Sequence, residues 1–274
     1  LSQVERAQVI RCLVEGKSIR ATVRITGAAK NTVAKLLIDL GAVCLKFQDE
    51  NMRNLNCKRI QADEIWSFVG AKQKNVTPEH FEDGGNAGDV WTWTAIDTDS
   101  KLVAAWMVGQ RDAVAAWDFM RDLAGRLASH VQLTTDGHRA YLTAVDSAFG
   151  DNIDYAMLAK IYGESSNGQE RYPPAECIGS ERKAIAGDPN PNHISTSFAE
   201  RQDLTMRMSM RRFTRLTNAF SKKIENHIAA ISLHFTYYNF ARVHQPLKRT
   251  PAMAAGIADH VWSIEELVAL LDSN

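Results

Sequence analysis

The chain has 274 residues, 45% hydrophobic and 23% charged, the profile of a soluble protein with one large domain or one large and one small. No apolar run approaches the roughly 20 residues needed to span a bilayer, and the opening stretch LSQVERAQVIRCLVEG carries acids and bases where a secretory signal would be apolar, so a cytoplasmic location is expected. Four scattered cysteines, Cys12, Cys44, Cys57 and Cys177, form no CxxC pair, which argues against a zinc finger and a disulfide framework.

The formal net charge of zero conceals a segregation. Residues 1–60 carry 11 basic and 5 acidic side chains, 61–190 carry 11 and 20, 191–250 carry 10 and 3, and 251–274 carry none and 4. Two basic blocks thus flank an acidic one. That pattern suggests polyanion-binding surfaces beside a carboxylate-rich region able to hold cations.

The first 45 residues read as three short helices. VERAQVIRCLVEG has an apolar stripe near helical period and stops at Gly16; Ser18 caps IRATVRITG; KNTVAKLLIDLG follows Gly27 and is expected to end at Gly41. Short helices joined by tight Gly-containing turns are the layout of a helix-turn-helix domain, here 1–45, in which Lys30, Asn31, Thr32 and Lys35 would face DNA. Plain dimerisation modules share this layout. Residues 46–58 (KFQDENMRNLNCK) are polar and aperiodic and read as a linker.

Strands follow. IQADEIWSFVGAK is one; VWTWTAID and LVAAWMVG, joined by TDSK, are a hairpin expected beside it. DAVAAWDFMRDLAGRLA is a helix capped by Asp112, VQLTTD a strand, HRAYLTAVDSAFG a helix and IDYAMLAKIYG a strand, an order that predicts an α/β fold. Residues 164–192 hold four of the seven prolines and read as an inserted loop. From 195 the chain reads as helical, with a break near Ser221, and WSIEELVALL is a terminal helix.

Three carboxylates stand out by position. Asp63 interrupts the first strand beside Glu64, where acids are disfavoured and costly to bury unpaired. Asp136 closes VQLTTD, and Glu200 lies in the first turn of a basic helix. Metal-assisted phosphoryl chemistry needs oxygen ligands from separate elements around two ions about 4 Å apart. Each acid also has an ordinary explanation: an edge strand for Asp63, an Asp-Gly turn or helix cap for Asp136, and a capping box Ser197-Phe-Ala-Glu200 for Glu200. Strand alternation places Asp63 and Glu64 on opposite faces, so only one is expected in a site.

In this order the acids, together with the segments IQADEIWSFVGAKQKN, GDVWTWTAIDTDSK, VQLTTDGHRAYL, AERQDLTMRMSMRRFTRLTNAFSKK and YYNFARVHQPLKRTPA, resemble the DDE transposases of bacterial insertion sequences, the insertion sequence one family in particular. The resemblance implies a ribonuclease-H-like catalytic core over 59–220, retroviral-integrase-like, with a helical extension over 221–274. It implies catalytic and metal-holding roles for Asp63, Asp136 and Glu200, with two Mg²⁺ ions per site for which Mn²⁺ substitutes. Glu64 is then assigned to structure, and His138 stands just outside the ligand set.

Arg207, seven residues after Glu200 and on its face, would hold a phosphate near the metals, or else pair with Asp203. Arg211, Arg212, Arg215, Lys222 and Lys223 would make sequence-independent phosphate contacts, and Arg242 belongs to a Tyr237, Tyr238, Asn239, Arg242, His244 motif of related transposases. The expected partners are double-stranded DNA, as element ends and target, and further copies of the chain in a homodimer or higher oligomer; nucleoid association follows. The cysteine zinc motif that some family members carry is missing here. Two other classes remain open: a structure-selective nuclease of the same fold, and an inactive helix-turn-helix regulator.

Overall fold

A computed structural model describes residues 1–84, 86–163, 177–214 and 218–272. The chain begins with helices α1 (Gln3–Val14), α2 (Ile19–Thr26) and α3 (Lys30–Asn51). Strands β1 (Arg59–Val69), β2 (Gly88–Asp97) and β3 (Val103–Gly109) follow, then α4 (Ala113–Arg126), β4 (Val131–Asp136), α5 (Ala140–Phe149), β5 (Ile153–Tyr162) and β6 (Cys177–Ala186). Helices α6 (Ser197–Ser209), α7 (Ile224–Thr236), α8 (Pro251–Ala254) and α9 (Ile264–Ala269) complete it. The fold is α/β, on a mixed six-stranded sheet of order β3-β2-β1-β4-β5-β6. No helix among the described residues is long and apolar enough to cross a membrane, and all four cysteines are free.

β1 is antiparallel to β2 and parallel to β4, and β4 is parallel to β5. Period-two alternation along β1 divides the sheet's two faces. Ile60 and Ala62 join Trp93, Phe119, Leu123, Leu133, Tyr141 and Val145 in a core under α4 and α5. On the other face Ile65 and Val103 pack against Met206, Phe213, Ile231 and Phe235 of the α6–α7 segment. The side chain of Asp112 caps α4 as its sequence position predicts, accepting the Ala115 N–H at 2.9 Å.

Four expectations need correction. Gly41 does not end the third helix, because α3 continues to Asn51 and takes in the first six residues of the 46–58 segment. The glycine is needed at a helix crossing: a Cβ there would lie 2.5 Å from the Cα of Ala229 in α7. The rest of that segment is no free linker either, since Met52, Leu55 and Cys57 are buried in the main core. Secondly, α1, α3, α7 and α9 share one apolar core, so the N-terminal helices and the C-terminal extension are packed as a unit.

Thirdly, the 164–192 region is not all loop. Residues 164–176 lie outside the described residues, but 177–186 pair with β5 as an edge strand. Finally, the late helix stops at Ser209; a short 3-10 turn over Arg211–Phe213 and a bridge from Ser221 to Val69 precede α7. The aromatic motif after α7 forms a wide π-helical turn, Tyr237–Ala241, in which buried Asn239 accepts the Val103 N–H at 3.1 Å and donates to the Val103 carbonyl at 3.0 Å. Asn239 thereby pairs with the edge strand β3.

Candidate active site

The parallel pairing of β1 and β4 runs from Arg59↔Gln132 to Ala62↔Thr135 and stops. β1 continues, while the chain leaves β4 at Asp136 toward α5. A crevice opens at this change of direction, the place where open α/β sheets gather their chemistry. Asp63 and Asp136 are the first residues past the paired stretch, and both line a cavity of about 860 Å³ there. Its walls also include Arg111, His138, Arg139, Lys160, Thr196, Glu200, Asp203 and Arg207.

Local hydrogen bonds set each acid. Asp63 accepts the Glu64 N–H at 2.8 Å, and Asp136 accepts the His138 N–H at 2.9 Å in a tight Asx turn, without capping α5. The capping box that offered the ordinary explanation for Glu200 does not form. Thr196 occupies the N-cap position, its hydroxyl donates to Glu200 Oε1, and Lys160 of β5 reaches the same oxygen at 2.6 Å. Two groups thus draw Glu200 into the cavity wall.

Glu64 was expected to be purely structural, yet carboxylate oxygens of Asp63, Glu64 and Asp136 lie within 4.8 Å of one another. Alternation does turn Glu64 to the α5 face, but at the point where the strands part both side chains reach Asp136. Glu64 has a side chain only 1% exposed, and Arg111 bridges it to Asp136 at 3.4 and 3.3 Å. Burial, then the neighbouring Asp136, pushes the Glu64 carboxyl up to about 8 despite Arg111. Asp63 is also raised, by burial and then by Asp136. Asp203, buried on the same wall, is raised by burial and then by Asp63, against the pull of Arg207, and its Oδ1 has no hydrogen-bond partner.

Arg207 shares the cavity with Glu200, as its seven-residue spacing predicts, and its charge opposes the rise of Asp203. Of the other candidate DNA contacts, Lys30, Asn31, Thr32, Lys35, Arg211, Lys222, Lys223 and Arg242 are all exposed. Lys35 pairs with Asp39 at 2.6 Å, and Arg242 donates to Ser209 at 3.3 Å. Arg212 does not serve a surface: its guanidinium turns inward and donates to the Ser221 hydroxyl and Asn226 carbonyl, each at 2.7 Å, tying the 3-10 turn to α7. Arg215 lies outside the described residues.

Arg111, Arg139, Lys160, Thr196 and Asp203 are the site residues that sequence reading missed. Only Asp203 carried a local signal, one helical turn from Glu200. No protein-family model matches this chain, and no curated protein matches it.

Proposed function

We propose that the protein is a DNA transposase, cleaving the ends of an insertion sequence and joining them to target DNA by metal-dependent phosphoryl transfer. One observation carries this reading: Asp63, Asp136 and Glu200, from a strand, a strand end and a helix, line one cavity together with Arg111, Arg139, Lys160 and Arg207. Carboxylates to hold hard cations and cations to hold a polyanion are thereby brought together. The strand order is consistent with a ribonuclease-H-like core, and the α2–α3 pair, joined through Gly27 at φ +74°, with a helix-turn-helix.

The donor set fits Mg²⁺ or Mn²⁺. It is all oxygen, burial and then the like charge of Asp136 raise Asp63, and one buried oxygen of the adjoining Asp203 is unpaired. Asp63, Asp136 and Glu200 would hold the ions, which when bound would activate the attacking oxygen and stabilise the leaving one. The protein's own groups position the reactants. Thr196 and Lys160 fix Glu200, Arg111 holds Asp136 in place, and Arg207 and Arg139 offer donors to phosphate oxygens at the cavity wall.

The exposed start of α3, with Lys30, Asn31, Thr32 and Lys35, would read the terminal repeats, while Arg211, Lys222, Lys223 and Arg242 add sequence-independent contacts. Pairing two element ends calls for at least a homodimer, working at the nucleoid. The test is strand cleavage and strand transfer on DNA carrying candidate ends, with and without Mg²⁺, in wild type, Asp63→Asn, Asp136→Asn and Glu200→Gln. Metal-dependent joining lost in all three variants is expected. Cleavage without joining would mean a nuclease, and DNA binding without metal-dependent chemistry a regulator.

A further inference from the structure

Beyond Glu64 the same face of β1 carries Trp66 and Phe68, and it is not closed over as the earlier half of the strand is. Ile60 and Ala62 are fully buried beneath α4 and α5, whereas Trp66, Phe68, Trp91 and Phe220 are only half-buried. These rings form a row. Trp91 stands opposite Trp66 in register, Trp66 and Phe68 have centroids 5.8 Å apart, and Phe68 and Phe220 are 4.8 Å apart. From Glu64 to Phe68 the row extends about 14 Å at ~3.4 Å per residue.

Cations accompany the rings. Lys72 lies over both Trp66 and Phe68, at 5.9 and 5.8 Å from their centroids, and the exposed Lys222 and Lys223 follow Phe220 closely in the chain. Arg111 joins the row to the carboxylates: its guanidinium is 5.1 Å from the Trp91 ring and also bridges Glu64 and Asp136. Asp89, the acid opposite Phe68, has its carboxylate engaged by the Gln73 N–H at 3.0 Å.

We propose that this row seats unpaired bases of the DNA strand next to the cut, stacking them on Trp66 and Phe68 while Lys72 and Arg111 meet the flanking phosphates. Only unpaired bases suit it. In a duplex the base faces are covered by their neighbours, whereas a frayed or flipped nucleotide offers a π face to an aromatic ring and its backbone to lysine and arginine. The inference rests on the reading of the cavity as a DNA-cleaving site, since the row leads away from that cavity through Arg111.

The test is binding in chelator of duplexes that end either blunt or in a short single-stranded overhang bearing 2-aminopurine. Wild type should prefer the overhang and quench its fluorescence. Trp66→Ala and Phe68→Ala should each weaken overhang binding roughly 5- to 100-fold and leave blunt-duplex binding unchanged. Trp66→Phe should retain most of the effect. Lys72→Glu, at an exposed position, should lower overhang affinity in the same direction and decides the matter if the aromatic variants fail to fold.

Equal affinity for the two ends in wild type, or wild-type overhang binding in a folded Trp66→Ala variant, overturns the proposal. The two readings fail separately. An overhang preference in a protein with no Mg²⁺-dependent cleavage would keep the aromatic row and overturn the transposase reading, and cleavage with no preference would do the reverse.

Discussion

The cavity at the parting of β1 and β4 and the seam between α3 and α7 treat buried polar groups in opposite ways. In the seam, Gln48 donates to the Thr236 hydroxyl at 2.8 Å and to the Ser232 and Cys44 carbonyls at 3.2 Å, and its Oε1 accepts the Trp106 indole N–H at 3.0 Å. A single amide is thus satisfied on both sides. In the cavity, carboxylates crowd together, Asp63, Glu64 and Asp203 each raised by burial and then by a neighbouring carboxylate, and Asp203 keeps an unpaired oxygen. A fold that satisfies its polar groups so fully in one place and crowds like charge in another supports the proposal that the second place is kept for chemistry.

The sharpest test of that contrast is Asp63→Asn. It removes like charge from the cavity and should raise the midpoint of thermal unfolding in chelator, while Mg²⁺-dependent strand transfer falls about 10³-fold or more, about 4 kcal/mol of transition-state stabilisation. Unchanged activity would sink the reading of the site. The seam should respond in the opposite sense: Gly41→Ala drives a methyl group into the Ala229 backbone and should cost about 3 kcal/mol of stability by urea unfolding, the upper end of overpacking effects. A neutral result would show that the crossing has slack.

Gln48→Leu should cost about 2 kcal/mol, because it strands the Trp106 N–H and leaves Thr236 with one partner fewer. The pH profile separates the two regions further. Glu64, raised from 4.5 to about 8, binds its proton more tightly in the folded state, so its contribution to stability is complete below about 4.5 and is lost as pH rises toward 8. His227 and His234 of α7, lowered by burial from 6.5 to about 3, act oppositely, losing stability as pH falls below 6.5.

Between 6.5 and 8 Glu64 is the member of this set that contributes, and stability in chelator should fall with rising pH by up to about 1.4 kcal/mol per unit. Saturating Mg²⁺ should flatten that limb; a limb insensitive to both Mg²⁺ and Glu64→Gln would assign it elsewhere. The smallest effect is expected at the surface. Lys30→Ala should weaken DNA binding and reduce the slope of log affinity against log salt by about 1, without moving either stability measurement.

The sheet was largely legible because its strands carry period-two patterns and clear turns: the TDSK hairpin, the Asp112 cap and the order through β5 all appear as read. β6 was not, because CIGSERKAIA is an edge strand exposed along almost its whole length and so alternates nothing. Gly41 misled for a related reason. A glycine that admits a neighbouring helix looks, in one dimension, like a glycine that ends its own.

Within the site, Asp63, Asp136, Glu200 and Arg207 could be picked out because unusual residues occupied telling positions. Arg111 and Lys160 could not, since each matters only through a carboxylate dozens of residues away. Arg212 shows the converse, a cation in a basic run whose hydrogen bonds hold the protein's own backbone.

The continuity of α3 bears on where the protein would cut. Its 22 residues form an unbroken rod of about 33 Å at ~1.5 Å per residue, with Lys30 exposed at one end and the later turns held to α7 across Gly41 and Gln48. Such a rod acts as a ruler. On the proposed reading, bases held at its tip would lie at a fixed offset from the carboxylates, so the cut would be registered by distance from the recognised sequence rather than by the sequence at the cut itself.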